Sequence, residues 1–200
     1  MYQRALRHVW VACLTAAASL TIGAVSAEPP LTLHGVARVA QRPTADVVVW
    51  LDAPNLPHDR QTAKVVLDQR NLNFYPHILA VRVGSTVDFP NDDRVFHNVF
   101  SFKDGKRFDL GMYPVGAVRH VTFDKPGLSR IFCNIHPNMA AYVIAIDSPY
   151  YAVSDQSGAF TIPGVAAGES YVYHAWRAGS TELDGSWTPA TTPMLTIDWP

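Results

Sequence analysis

Once its first 27 residues are set aside, this 200-residue chain predicts an all-β fold. Three observations carry that reading. No segment of about ten residues or more shows a 3.6-residue apolar period, short runs rich in β-branched and aromatic side chains recur, and Gly, Pro, Asn and Asp bound those runs. Many short strands at such spacing make a sandwich or a barrel.

The first strand, 31–39, contains Leu33-His34-Gly35-Val36, and the second, 46–52, contains Val47-Val48-Val49-Trp50-Leu51. Strands over 63–69, 77–83 and 85–90 rest on Val65-Val66-Leu67, on Ile78, Leu79, Val81 and Val83, and on Thr86, Val87 and Phe89. The next, 95–102, holds the run Val95-Phe96-His97-Asn98-Val99-Phe100, and 117–124 carries Val118, Val121, Thr122 and Phe123. Segment 128–133 carries Leu128, Ile131 and Phe132, 140–147 is apolar almost throughout, and 158–162 and 170–177 complete the series with Phe160, Ile162, Tyr171, Tyr173 and Trp176. Turn chemistry separates these runs. Val83-Gly84-Ser85, Lys103-Asp104-Gly105-Lys106, Lys125-Pro126-Gly127 and Gln156-Ser157-Gly158 put glycine or proline where the backbone reverses.

Residues 1–27 read as a secretory signal, with basic Arg4 and Arg7, an apolar stretch from Val9 to Val25, and Val25-Ser26-Ala27 before Glu28. That stretch is shorter than the roughly 20 apolar residues of a spanning helix, so cleavage, a periplasmic location and no stable membrane insertion are expected. A hydrophobic share of 48% permits real cores and argues against disorder. From Glu28 onward, 14 basic residues (16 less Arg4 and Arg7) face 17 acidic ones, a net charge of −3. With no basic run, neither nucleic acid nor an anionic membrane surface is an expected partner.

Loss of the leader removes Cys13 and leaves Cys133 as the one cysteine, in a compartment where disulfides are usual. Three explanations stand: the thiol is buried and inert, it joins another chain, or a metal occupies it.

The segment Cys133-Asn134-Ile135-His136-Pro137-Asn138-Met139 lies between two apolar runs and offers a thiolate, an imidazole and a thioether from one loop. His97, 36 residues upstream, is the best second imidazole. Soft sulfur with two imidazoles suits copper, and a trigonal His2Cys set with a long axial Met is the blue-copper arrangement. Zinc competes but gains little from a thioether. A thiol enzyme usually draws its base from a distant part of the chain, whereas Cys133 and His136 share a loop. Each residue by itself has a plainer explanation, Met139 as core filler and His97 as a core histidine; the joint occurrence is what points to a metal.

On these residues the chain resembles the cupredoxins, in particular plastocyanin, pseudoazurin and amicyanin, and the Cys-x2-His-x2-Met spacing is similar to that of amicyanin. Phe74-Tyr75-Pro76-His77-Ile78-Leu79, Val83-Gly84-Ser85-Thr86-Val87, Phe89-Pro90-Asn91-Asp92 and His97-Asn98-Val99 extend the likeness over about residues 64–147. Phe108-Asp109-Leu110-Gly111 and Cys133-Asn134-Ile135-His136-Pro137 also resemble the longer plastocyanin-like methylamine utilisation proteins. The resemblance implies a Greek-key β-sandwich with one type 1 copper, held strongly by His97, Cys133 and His136 and weakly by Met139. It implies that the Asn98 backbone N–H bonds the cysteine sulfur while its side chain ties two ligand loops. It implies, too, an apolar patch around the His136 edge, with Pro76 and Pro137 on its rim.

The resulting division is a signal at 1–27, an N-terminal β segment at 28–60, a cupredoxin domain at 61–148 and a C-terminal β segment at 149–200. Leu33-His34-Gly35-Val36 and Val47 to Leu51, with Asp155 to Ile162 and Tyr171 to Trp176, resemble carboxypeptidase-regulatory-like, transthyretin-like β domains. Two readings of the flanks stay open: a second small sandwich, or edge strands on one enlarged sandwich.

The function expected is electron transport without substrate turnover, and the resemblance to methylamine utilisation proteins implies redox partners such as a c-type cytochrome or a periplasmic dehydrogenase. Copper storage or delivery through the same ligands is the alternative, and a structural β protein with a vestigial site is a third. His34, His58, His77, His120 and His174 show no metal-like partners at nearby spacing, which counts against a second copper centre and against an enzyme.

Overall fold

Strand positions follow from where apolar side chains alternate and where they do not. The computed structural model describes residues 28–56, 64–102, 104–189 and 194–200. The leader, His58 and Lys103 lie outside the described residues. In chain order the strands are β1 (Leu31–Val39), β2 (Arg42–Pro43), β3 (Val48–Asp52), β4 (Lys64–Val66), β5 (Asp68–Arg70) and β6 (Asn73–Tyr75). Then come β7 (Ile78–Arg82), β8 (Thr86–Pro90), β9 (His97–Ser101), β10 (Phe108–Tyr113), β11 (Val118–Thr122) and β12 (Gly127–Phe132). Last are β13 (Ala140–Ile146), β14 (Tyr151–Val153), β15 (Ala159–Val165), β16 (Tyr171–Trp176), β17 (Leu183–Trp187) and β18 (Met194–Trp199). The all-β class holds among the described residues.

Four sheets of three or more strands carry the architecture. The order β10-β9-β12-β13-β7 faces β11-β8-β4, and between them lies a core of Leu67, Val87, Phe89, Val99, Phe123, Ile131 and Val143. The chain crosses repeatedly between these two sheets, from β7 to β8, β8 to β9, β10 to β11 and β11 to β12. In the flanks, β15-β1-β18 and β14-β3-β16-β17 enclose a separate core of Leu33, Val49, Leu51, Phe160, Ile162, Trp187, Ile197 and Trp199. Strands from both ends of the chain meet there. Val48–Asp52 pairs antiparallel with Tyr171–Trp176, and β1 pairs with both β15 and β18.

A third apolar layer joins the two pairs of sheets. Val48, Ile78, Ile144 and Ile146 pack with Trp50, Tyr142 and Trp176 between β3/β16 and β7/β13. On β3, Val48 and Trp50 face this layer while Val49 and Leu51 face the flank core; on β13, Ile144 and Ile146 face it while Ala141, Val143 and Ala145 face the other core. Strands covered on both faces lose polar alternation, which is why these two segments read as unbroken apolar runs.

The predicted strand 63–69 is divided at Leu67. Its first part pairs parallel with β8 and its second antiparallel with β6, while the Leu67 N–H donates to the Asp88 carbonyl at 2.8 Å. Strands β2, β6, β10, β14, β17 and β18 are additions to the sequence-based set. β10 carries a register shift between Asp109 and Met112 and a left-handed Gly111 (φ 65°), so its alternation is broken. β17, Leu-Asp-Gly-Ser-Trp, is poor in strand-favouring residues; the Tyr173 ring lies over Gly185, in the space where a Cβ would sit. β18 does alternate, with Leu195, Ile197 and Trp199 buried.

Candidate metal centre

The β-structure sets four side chains around one end of the central sandwich. His97 is the first residue of β9, Cys133 directly follows β12, and Met139 directly precedes β13. β12 and β13 are antiparallel partners up to Phe132 and Ala140, so residues 133–139 form the loop of a hairpin. That loop is pinned by the Cys133 N–H donating to the Met139 carbonyl at 3.2 Å and the Met139 N–H donating to the His136 carbonyl at 2.9 Å.

Within this frame the Nδ1 atoms of His97 and His136 are 3.1 Å apart, and the Cys133 Sγ is 3.9 Å from the first and 3.7 Å from the second. His97 and Cys133 are buried and His136 is half-buried. Met139 is 1% exposed and belongs to the same core cluster as Cys133. Of the sequence candidates, His97, Cys133 and His136 are thus brought together, with Met139 at the base of their loop.

The donor set fits a small ion. The circumcentre of a triangle with those three sides lies about 2.1 Å from each atom, within the roughly 2.0–2.3 Å range of metal–imidazole and metal–thiolate bonds. Three atoms rich in lone pairs facing one another at these distances are mutually unfavourable without a cation or proton between them.

The supports of His97 were not picked out from the sequence. Its Nε2 is 3.0 Å from Asp93 Oδ2. Asp93 is itself fixed, because Oδ2 accepts the Leu72 N–H at 2.7 Å and Oδ1 accepts the Arg94 N–H at 2.8 Å. Burial opposes ionisation of this carboxyl, but those two N–H groups and the His97 ring outweigh it and hold its pKa below the usual range. Asn91 builds the turn that presents Asp93: its Nδ2 donates to the carbonyls of Val95 and Tyr113 and its Oδ1 accepts the Asp93 N–H. The readable signal was a carboxylate four residues before a candidate ligand.

Asn98 ties the ligand segments through its side chain. Nδ2 donates to Asp109 Oδ1 at 2.8 Å, and Oδ1 accepts the Asn134 N–H at 3.3 Å. Around the sulfur itself stand the two ring nitrogens of His97 and His136. Beneath the site, Tyr113 donates its hydroxyl proton to the Phe89 carbonyl at 3.0 Å and accepts from Gln69 Nε2. Burial pushes the Tyr113 hydroxyl well above its ordinary pKa, so it stays a donor.

The strand order, the single core and the ligand hairpin spanning β12 and β13 define the architecture. Residues 64–146 form a β-sandwich of two facing sheets around a shared core. No protein-family model and no curated protein matches the chain. Among solved structures, a novel purple cupredoxin from Nitrosopumilus maritimus is 26% identical over 42% of this chain and 99% of its own, with a TM-score of 0.37. A Cu-containing nitrite reductase from Thermus scotoductus SA-01 is 24% identical over 47% of this chain and 27% of its own, at 0.41. A reduced amicyanin variant is 22% identical over 49% of this chain and 98% of its own, at 0.39. Each likeness covers less than half of this chain.

His174 departs from the sequence expectation of having no metal-like partners. Its Nδ1 lies 2.6 Å from Asp184 Oδ1 and 3.4 Å from Glu182 Oε1. Eight and ten residues separate them in the chain; the β16–β17 pairing closes that gap, placing His174 opposite Asp184.

Proposed function

We propose that this chain is a periplasmic type 1 copper protein that carries single electrons, with one copper held by His97, Cys133 and His136 and, as weak axial donor, Met139. The convergence of two imidazole Nδ1 atoms and one thiolate sulfur within 3.9 Å supports this reading above any other observation. Bound copper would supply a one-electron couple, and the donors would hold similar positions in both oxidation states. They come from a pinned seven-residue loop and from a strand, so little rearrangement accompanies a change of charge.

The chain's own residues prepare this site. Asp93 accepts the Nε2 proton of His97, which leaves Nδ1 with its lone pair directed at Cys133. His136 is half-buried, and Phe96 and Ile135, 54% and 42% exposed, supply apolar area nearby in sequence. Such a surface suits brief docking of redox proteins, of which a c-type cytochrome and a periplasmic dehydrogenase are the proposed kinds. Export is inferred from residues 1–27. We take the flanks as a second β-sandwich built on Leu33, Leu51, Ile162 and Ile197, which braces the copper-binding one through the Ile78–Ile144 layer.

The visible spectrum of the Cu(II)-loaded exported chain tests the reading against a Cys133→Ser control. An intense thiolate-to-copper band at roughly 600 nm, absent from the control, is the expected result. Copper binding without that band would replace electron carriage by storage or delivery.

A further inference from the structure

Away from the thiolate site, we infer that His174, Glu182 and Asp184 form a second metal site, an open nitrogen and oxygen centre for a divalent cation of the zinc class. One ligand atom from each lies within 4.8 Å of the others. No donor is shared with His97, Cys133 or His136, so this inference stands whether or not copper is the cargo of the first site.

The geometry comes from three adjacent strands. His174 on β16 is in register with Trp50 on β3 to one side and with Asp184 on β17 to the other. Glu182 directly precedes β17, two residues before Asp184, and its Oε1 also reaches His174 Nδ1, at 3.4 Å. Trp50 stacks on the imidazole at 5.1 Å with an interplanar angle of 16°. That contact sets the plane of the ring, whose Nδ1 edge faces the acids. The site sits at the rim of the layer between the two pairs of sheets, where Glu182 lines a cavity with Trp50, Trp176, Ile144 and Asp147.

An ordinary ion pair explains one carboxylate but not two. Nδ1 has a single in-plane valence, which carries either one proton or one metal bond. Two carboxylate oxygens at 2.6 and 3.4 Å compete for it, and each places negative charge beside the other. A divalent cation accepts all three donors at once. One imidazole with two carboxylates suits zinc, leaves a fourth position open to water, and lacks the soft sulfur that selects copper(I).

The test is zinc bound per chain at equilibrium dialysis, in the exported chain and in a Glu182→Gln/Asp184→Asn variant, each also in a Cys133→Ser background. A decrement of one equivalent in both backgrounds is expected, and that decrement, not the total, is the readout. Equal zinc in parent and variant would overturn the site. Because the substitutions also remove a cross-strand pair, ring 15N resonances are followed in the unsubstituted chain as zinc is added. A shift of the His174 Nδ1 signal at the first equivalents supports the site, and an unmoved signal refutes it.

Discussion

Nε2 of His97 lies 3.0 Å from Oδ2 of Asp93, on the ring edge opposite the Nδ1 that faces Cys133. This pairing fixes which nitrogen keeps a proton and which presents a lone pair. Loss of such a partner costs metal sites about 10- to 100-fold in affinity. Asp93→Ala is therefore expected to weaken copper binding by about that factor while leaving the ligand set intact. Competition against a chelator of known affinity measures it, and unchanged affinity would deny Asp93 a positioning role.

Tyr113 joins Gln69 to the Phe89 carbonyl in a fully buried network. Tyr113→Phe removes the hydroxyl and leaves both partners short of a bond. The expected cost is about 1–3 kcal/mol, the penalty for buried polar groups left unsatisfied, read from urea unfolding.

Ile144 faces the layer that joins the flanks to the central sandwich, packed with Val48 and Ile78 and 5% exposed. Truncation to alanine opens a cavity there and is expected to cost about 2–5 kcal/mol in the same measurement. A cost near zero would mean that this layer is loosely packed.

Asp155 closes the turn before β15, its Oδ1 accepting from the Ser157 hydroxyl at 2.6 Å and from the N–H groups of Ser157 and Ala159 at 2.8 and 3.0 Å. The Ser157 side chain, then its N–H, hold this carboxyl below its ordinary pKa. A depressed acid contributes stability that is present above its unfolded-state pKa and fades as pH falls through the folded value. Asp155→Ala should therefore melt below the parent at neutral pH, with the gap closing as the medium becomes strongly acidic. A gap independent of pH would assign the effect to packing. Next to it, Gly158 has φ 74° and a Cβ there would stand 2.5 Å from the Ala37 carbonyl, so the turn admits little else.

The ligand loop was legible because its chemistry is local. Cys133, His136 and Met139 lie within seven residues, bounded by two apolar runs, and a cysteine left without a disulfide partner once residues 1–27 are set aside asks for an occupant. Asp93 was less legible, since one carboxylate near one histidine is common. β10 and β17 were hidden for a different reason: Gly111 and Gly185 remove the alternation that marks a strand, and pairing with neighbours already in place holds them in the sheet.

The sequence by itself determined the all-β class, most strand positions and the residues of the sulfur-containing site, because period and turn chemistry act over a few residues. Tertiary structure decided the rest: that Val48 and Val49 face different cores, that Leu67 changes partners between two sheets, and that Glu182 and Asp184 reach His174. These depend on which strands pair, and pairing is settled by burying apolar faces across segments far apart in the chain, information that no single window of residues contains.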